Sequence, residues 1–193
     1  MKVAIIIGST RQGRQSDRLA HWVHLEATKH GDAETVDLRD YPMPFFDEAI
    51  SPRYNPERSA TPEVQKWLDK IAEFDAYVIV TPEYNRAMPA VLKNAFDHLG
   101  YEADNKPVAL VAHGSSGGAQ SAATLRISLP GNGVVTIPQA LFFSDHLGES
   151  INDAGELDET KKANPYGPQA QLTAQIASLK WYSDALAGAR ANA

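Results

Sequence analysis

The chain has 193 residues, of which 43% are hydrophobic and 22% charged; this composition excludes a disordered or collagen-like protein and predicts one globular domain over residues 1–193. A formal charge of −6 without a long basic run argues against nucleic acid as a partner. The lack of cysteine excludes disulfides, thiol catalysis and cysteine-ligated metals. Because no segment is apolar for long enough to cross a membrane, we expect a cytoplasmic protein.

Strands and helices alternate along the sequence. Continuous apolar or β-branched runs predict strands over residues 2–8, 33–38, 76–81, 107–112 and 134–137. Apolar residues at helical spacing predict helices that begin near residues 16, 62, 89, 119 and 169. This alternation predicts a parallel sheet that is covered by helices on both faces.

Two segments do not follow this alternation. Residues 41–62 carry five prolines and several aromatic residues, and we predict a long ordered loop there, of a length that is often functional. We interpret Phe45, Phe46 and Tyr54 as anchors of this loop; the alternative is that they roof a binding site. Residues 145–168 are polar and rich in turn formers, which predicts a surface excursion.

The first loop, residues 8–16 after the first strand, has the chemistry of a phosphate site. A strand that runs through a Gly/Ser/Thr-rich loop into a helix aims backbone N–H groups and the positive end of the helix dipole at one point. The hydroxyl groups of Ser9, Thr10 and Ser16 can donate hydrogen bonds to a phosphate, and Arg11 can add a charge-assisted one. A polar turn with solvated arginines is the alternative.

The same loop argues against two common phosphate ligands. Gly8 and Gly13 have the spacing of a nucleotide-binding P-loop, but Arg14 and Gln15 stand where that loop needs Lys and Ser or Thr. The Gly-x-Gly-x-x-Gly pattern of dinucleotide-binding folds is also absent after the first strand. We therefore expect a single terminal phosphomonoester, such as that of FMN.

The third loop, residues 114–118 after the fourth strand, contains a Gly-x-Ser-x-Gly sequence centred on Ser116, which is typical of serine hydrolases. Such an enzyme needs an acid and then a histidine after the serine. The chain offers only the adjacent Asp145 and His146, and adjacent residues are poorly placed for a proton relay. The hydrolase is the weaker interpretation. We expect the glycines to form a flat platform that a planar ring can approach.

The second loop, residues 82–85 after the third strand, carries the most distinctive motif. The loop lies in the segment Thr81-Pro82-Glu83-Tyr84-Asn85, and the helix after it contains Pro89-Ala90-Val91-Leu92-Lys93-Asn94-Ala95-Phe96-Asp97. Together the two segments resemble the signature of the NADPH-dependent FMN reductase family. The first loop resembles the phosphate loop of that family, and the third resembles its Gly/Ser-rich loop beside the flavin ring. Arg86-Ala87 departs from the family, in which a small Gly-x commonly follows the asparagine.

The resemblance implies a flavodoxin-like fold, a three-layer doubly wound α/β structure whose five-stranded parallel sheet has the order 2-1-3-4-5. It also implies that the first loop holds the FMN phosphate and that the other two loops flank the isoalloxazine ring. The cofactor-binding residues predicted in total are Ser9, Thr10, Arg11, Gln15 and Ser16 in the first loop, Pro82, Glu83, Tyr84 and Asn85 in the second, and Gly114, Ser115, Ser116 and Gly117 in the third.

By the same resemblance the chain is an oxidoreductase that transfers hydride from NADPH or NADH to bound FMN and then to a small or flat acceptor, in a ping-pong cycle. Quinones, azo dyes, metal oxyanions and flavins stay open as acceptors. We predict no catalytic side chain and no metal site. The resemblance also implies a homodimer or homotetramer. An electron-carrier flavodoxin is the non-enzymatic alternative, although the chain lacks the dense acidic face that such carriers use for docking.

Overall fold

The computed structural model describes residues 1–144 and 147–192, and at its centre is a five-stranded sheet in which all neighbouring strands are parallel. The strands are β1 (Lys2–Ile7), β2 (Asp32–Asp37), β3 (Ala76–Pro82), β4 (Pro107–His113) and β5 (Val135–Phe143). Their order is β2-β1-β3-β4-β5. This order confirms the predicted flavodoxin-like fold.

Helices connect the strands and cover both faces of the sheet. They are α1 (Ser16–Ala27), α2 (Pro62–Ala72), α3 (Ala90–Asp97), α4 (Ala119–Ser128), α5 (Leu147–Ser150), α6 (Glu159–Ala163) and α7 (Pro168–Arg190). Within residues 1–144 and 147–192, no helix is both long and apolar enough to cross a membrane. The five longer connecting helices begin within one residue of the predicted positions.

The core lies in two layers, one on each face of the sheet. Val3 and Ile5 of β1 belong to the layer formed with α1 and α7, whereas Ala4 and Ile6 belong to the layer formed with α2, α3 and α4. Successive strand residues face opposite sides, so a strand that is covered on both faces buries all of its residues. Strands β3 and β4 are accordingly buried over their full length, which explains their continuous apolar sequences.

Strand β5 is longer than predicted, because it does not end at residue 137 but continues through Pro138. Its pairing with β4 shifts register around the proline and resumes at Ala140. Arg126 donates hydrogen bonds to the carbonyl oxygens of Ile137 (3.0 Å) and Pro138 (2.9 Å). A proline argues against a central strand, but it is accommodated in this irregularity at the edge of the sheet.

Part of the predicted surface excursion over residues 145–168 contributes to the core instead. Leu147, Ile151 and Leu157 are buried in the same layer as α1 and α7, and Ile151 pairs with Leu157 in a short antiparallel bridge. Residues 158–166 are almost all exposed, as predicted. The prediction was wrong for Leu147, Ile151 and Leu157, because three apolar residues separated by turn formers show the period of neither a helix nor a strand.

Residues 41–61 form the ordered loop that the sequence predicts, and it is tied to α3. The side-chain amide of Asn94 accepts a hydrogen bond from the backbone N–H of Phe46 (2.9 Å) and donates one to the carbonyl of Pro44 (2.8 Å). Within the loop, Arg58 binds the carboxylate of Glu48 through Nε and Nη2. Asn94 belongs to the family-like motif, so this part of the motif holds the long loop in place.

The three aromatic residues interpreted as anchors of this loop differ in their surroundings. Phe46 packs edge-on against His98, with ring centroids 5.5 Å apart, and acts as an anchor. Phe45 and Tyr54 are 77% and 82% exposed, so the prediction was wrong for these two residues. Their aromatic surfaces are available for contacts outside this chain.

Candidate functional site

The three loops meet at the carboxyl edge of the sheet, where the adjacent strands β1, β3 and β4 end. Ser9 in the first loop and Tyr84 in the second are joined by a hydrogen bond of 2.7 Å between their hydroxyl oxygens. The backbone N–H of Glu83 donates to the carbonyl of His113, the last residue before the third loop (2.9 Å). Hydrogen bonds therefore link the second loop to both of its neighbours.

The first loop presents backbone donors that the chain does not use. The amides of Thr10, Gln12, Gly13 and Gln15 have no hydrogen-bond acceptor among the described residues. Helix α1 begins at Ser16, and Gln15 at its cap position makes no side-chain capping hydrogen bond. Free N–H groups and the positive end of the helix dipole are close together here, and both favour an anion.

The side chains of the first loop divide into a buried and an exposed group. Ser9 and Ser16 are fully buried, and each is hydrogen-bonded within the site. Thr10, Arg11 and Gln15 are exposed at the edge. In the part of the chain that the structure describes, the guanidinium group of Arg11 makes no hydrogen bond or ion pair, so its charge is free to meet an anionic ligand.

Sequence reasoning missed Arg14, whose side chain is only 3% exposed. Its guanidinium group donates to the carbonyl of Ser9 and to the carboxylates of Asp17 (2.8 Å) and Asp37 (2.8 Å). Burial is the largest single influence and disfavours both charged forms. The hydrogen bonds and charge attraction between Arg14 and Asp37, together with those of Asp17 to Arg14 and Arg39 to Asp37, outweigh it, so the pKa of Arg14 is raised and the pKa of Asp37 is lowered. Arg14 thus ties the first loop to α1 and β2.

The second loop turns sharply at Asn85 and Arg86, whose φ angles of 49° and 67° lie in the left-handed region. Tyr84 and Ala87 close the turn through backbone hydrogen bonds of 3.0 and 3.1 Å. Glycine adopts this conformation without strain, which explains why a Gly-x pair suits the turn. Arg86 adopts it at a cost of about 1–2 kcal/mol, and it places a cationic side chain at this exposed edge.

Glu83 connects the second loop to the start of α4. Its carboxylate accepts a hydrogen bond from the backbone N–H of Gln120 (3.0 Å), in the first turn of that helix. Gly118, at the cap position of α4, has no side chain that can do so. The role predicted for Glu83 beside a ring concerned its backbone, and its side chain has this separate capping role.

Replacing Glu83 with alanine is expected to lower the free energy of unfolding by about 1 kcal/mol, because α4 loses its cap and a negative charge near its amino end. Urea denaturation of the protein without added ligand measures the change. Glu57→Ala is the control, since Glu57 is exposed and makes no ion pair within the described residues. Equal stability of the two variants would contradict the capping role.

The third loop offers a surface that is poor in side chains. Gly117 has a φ angle of 76°, and a Cβ atom added at Gly114 would lie 3.3 Å from the Cβ atom of Glu83. Ser115 and Ser116 are exposed beside these glycines. Such a backbone surface suits the close approach of a planar ring.

The serine hydrolase alternative gains no support from this geometry. No histidine among the described residues is hydrogen-bonded to Ser116, and His113 is bonded to Ser16 instead. Asp145 and His146, on which the alternative depends, lie outside the described residues. Ser116 therefore has no activating partner in the part of the chain that the structure covers.

These features fit the two chemical halves of FMN. Unpaired amides, serine hydroxyls and the free charge of Arg11 lie at the start of α1, a set of donors that suits a phosphate group. The second and third loops follow the neighbouring strands β3 and β4 and present backbone and glycine, which suits a flat ring. The chemistry of the donors therefore agrees with the cofactor that the sequence resemblance implies.

Comparison with known proteins points to the same cofactor. A family profile described as NADPH-dependent FMN reductase matches residues 1–148. An NAD(P)H-dependent FMN reductase of Schizosaccharomyces pombe is 33% identical over 184 residues, covering 85% of this chain and 92% of the relative. An NADPH azoreductase of Bacillus sp. is 30% identical over 183 residues, covering 93% of this chain and 95% of the relative.

Among solved structures, this chain is similar to FerB, a flavoenzyme NAD(P)H:(acceptor) oxidoreductase from Paracoccus denitrificans. The TM-score is 0.75 over 95% of this chain and 97% of that one, at 23% sequence identity, so the two share a fold. The family match includes all three loops and the strands that carry them. This chain therefore belongs to the NADPH-dependent FMN reductase family, a family of FMN-dependent oxidoreductases that use NAD(P)H as electron donor.

Proposed function

We propose that this chain binds FMN at the edge where the three loops meet and reduces a small-molecule acceptor with electrons from NADPH or NADH. The observation that carries the proposal is the set of unpaired amides and the free arginine at the start of α1, beside the second loop and the glycine-rich third loop. The residues proposed to contact FMN are Ser9, Thr10, Arg11, Gln15, Ser16, Pro82, Glu83, Tyr84, Asn85, Gly114, Ser115, Ser116 and Gly117.

Each loop has its own task in this proposal. The first loop balances the phosphate charge through its amides and Arg11, and the hydrogen bond between Ser9 and Tyr84 holds the second loop beside it. The glycines of the third loop let its backbone pack closely, Gly114 against Glu83 of the second loop and Gly117 against Phe142, and this backbone would lie beside the ring. Bound FMN supplies the hydride-transfer chemistry, so no side chain has to act as acid or base.

Donor and acceptor would occupy the same exposed face in turn, which corresponds to ping-pong kinetics. Azo compounds are proposed among the acceptors because one relative is an NADPH azoreductase. Quinones, metal oxyanions and free flavins are the other candidates. Steady-state kinetics with both substrates varied would give parallel double-reciprocal lines for the proposed order.

A visible absorption spectrum of the purified protein with FMN, recorded before and after anaerobic NADPH, tests the function. We expect a bound-flavin spectrum that bleaches with NADPH and returns when a quinone is added. Bound flavin that NADPH cannot bleach directly would favour the electron-carrier flavodoxin, which needs a separate reductase. A protein that neither binds FMN nor oxidises NADPH would refute the proposal.

Arg11→Ala is expected to weaken FMN binding by about 1.5–3 kcal/mol, the contribution of one hydrogen bond to a charged group. The reason is that the Arg11 guanidinium has no partner among the described residues and lies exposed in the first loop. Titration of apoprotein with FMN, followed by quenching of flavin fluorescence, measures the change. Arg190→Ala is the matched control, because Arg190 bonds to the carbonyl of Asn105 at the opposite edge of the sheet. Unchanged FMN affinity in Arg11→Ala would remove Arg11 from the site.

Assembly into a homodimer or homotetramer is a further part of the proposal. Exposed apolar side chains support it, since Phe45, Tyr54 and Ile127 are 77%, 82% and 82% exposed. Sedimentation equilibrium measures the assembly directly, and a monomer at micromolar concentration would contradict it. The cytoplasmic location stays a prediction from the sequence.

A further inference from the structure

His113 is the residue through which all three loops are connected. Its side-chain Nε2 lies 2.9 Å from the hydroxyl oxygen of Ser16, at the start of α1. Its backbone carbonyl accepts the hydrogen bond from Glu83 in the second loop, and its own peptide leads directly into Gly114 of the third loop. Both side chains of the His113–Ser16 pair are buried. A shift of His113 would therefore reach every part of the proposed site.

The direction of the Ser16 hydroxyl hydrogen depends on whether Nε2 of His113 carries the ring proton. If Nε2 carries the ring proton, it donates to the serine oxygen, and the hydroxyl hydrogen is free to donate elsewhere. If Nε2 is bare, the serine must donate to the ring and presents only lone pairs to a ligand. The first arrangement suits an anion at the start of α1, and the second repels it.

A bound anion favours the first arrangement, because the Ser16 hydroxyl has no acceptor other than Nε2 among the described residues. Nδ1 makes no hydrogen bond in the part of the chain that the structure describes, but it is not enclosed, so water can bond to it whether or not it carries the proton. Burial lowers the pKa of His113 to about 4, so the ring is neutral at pH 7 and carries a single N–H. Placing that N–H on Nε2 gives every donor of the pair a partner once an anion is bound.

We propose that His113 is a positioning residue that, through its Nε2–H, turns the Ser16 hydroxyl hydrogen toward the phosphate position, so that this pair selects phosphorylated over unphosphorylated flavin. The inference rests on the proposed function, because the anion is taken to be the phosphate of FMN. His113 itself contacts Ser16 and not the phosphate. Its effect is therefore confined to ligands that carry the anion.

Binding of FMN and of riboflavin, which lacks the phosphate, tests this inference in four variants. His113→Leu and Ser16→Ala each remove one partner, and the double variant removes both. His113→Gln keeps an N–H donor near the position of Nε2 and cannot titrate. Ser121→Ala is the matched control, since Ser121 is also fully buried and its hydroxyl is 3.0 Å from that of Thr81 under the same edge.

We expect His113→Leu and Ser16→Ala each to lose FMN affinity about tenfold while riboflavin affinity stays unchanged. The double variant should be no worse than either single one, because both act through the same hydroxyl. His113→Gln should bind FMN nearly as well as the wild type, and Ser121→Ala should keep the FMN-to-riboflavin ratio. Equal losses for FMN and riboflavin in His113→Leu would assign the residue a merely structural role and overturn the proposal.

The ring tautomer in the FMN complex gives a second readout. Two-bond proton–nitrogen correlation spectra of the complex are expected to show His113 as the neutral Nε2–H form. The Nδ1–H form would overturn the proposal even if His113→Leu failed to fold. A wild-type protein that does not bind FMN would overturn the proposed function together with this inference. A wild type that binds FMN, with affinity unchanged in His113→Leu, would overturn only the inference.

Discussion

Gly118→Ala is expected to lower the free energy of unfolding by about 2–5 kcal/mol, which makes it one of the most damaging single changes in the chain. Gly118 has a φ angle of 77°, a conformation that costs any other residue backbone energy. An added Cβ atom would also lie 2.5 Å from the backbone nitrogen of His113 and 2.8 Å from the Cβ atom of Ala112. Because these neighbours belong to the buried strand β4, they cannot move aside cheaply.

Gly13→Ala separates the two contributions. Gly13 has a φ angle of 66°, close to that of Gly118, but beyond its two chain neighbours no atom of the described residues lies within 4 Å of an added Cβ. This variant should lose only the backbone cost of about 1–2 kcal/mol, and the remaining loss in Gly118→Ala is then due to packing. Urea denaturation of both apoproteins measures the difference. Equal stability of the two variants would contradict the clash of an added Cβ atom at Gly118 with β4.

The apoprotein is expected to lose about 3 kcal/mol of stability through His113 alone as the pH falls from 6.5 to 4. Burial lowers the pKa of this ring from 6.5 to about 4, and no charged side chain among residues 1–144 and 147–192 contributes to the shift. Between these values the unfolded chain holds the proton and the folded chain does not, so acid favours unfolding. Above pH 6.5 both states are neutral at this residue, and it contributes no pH dependence.

Comparison with His113→Gln isolates this effect from the titration of carboxylates. The carboxylates titrate in both proteins, so the difference between their unfolding free energies reports His113. That difference should be constant above pH 6.5 and should change progressively down to pH 4. A difference that is independent of pH over the whole range would show that His113 is accessible to protons in the folded state.

The sheet could be predicted from sequence where burial on both faces imposes a continuous apolar run. That condition holds for β1, β3 and β4, and their predicted boundaries lie within one residue of the observed ones. It fails for β5, where Pro138 and exposed residues interrupt the run, although hydrogen bonds from Arg126 and a register shift let the strand continue. Leu147, Ile151 and Leu157 were missed because their burial depends on tertiary contacts with no local period.

In the candidate site, too, the features that depend on neighbouring residues could be predicted, and the contacts between residues far apart in the sequence could not. The three loops were predicted because each directly follows a strand that the sequence indicates. Their anion-binding amides belong to the loop backbone itself, so no distant contact is needed to predict them. The partners of Arg14 and His113 were not predicted, because Asp37 and Ser16 are 23 and 97 positions away from them. A signal in the sequence was the spacing of Arg14 and Asp17 by three residues, which favours an ion pair at the start of α1 but does not predict its burial.

The irregular strand β5 has a consequence for how folded copies of this protein behave toward one another. An open sheet edge ordinarily invites a strand from a second molecule and so begins aggregation. At β5, Pro138 has no N–H to offer, and the carbonyls of Ile137 and Pro138 are already bonded to Arg126. At the other edge, β2 carries three acidic residues in six positions, two of them ion-paired with Arg14 and Lys70, and burying these charged groups against a second strand is unfavourable. Neither edge can therefore template a continuous intermolecular ladder, and any self-association of the native protein has to use its helices and loops.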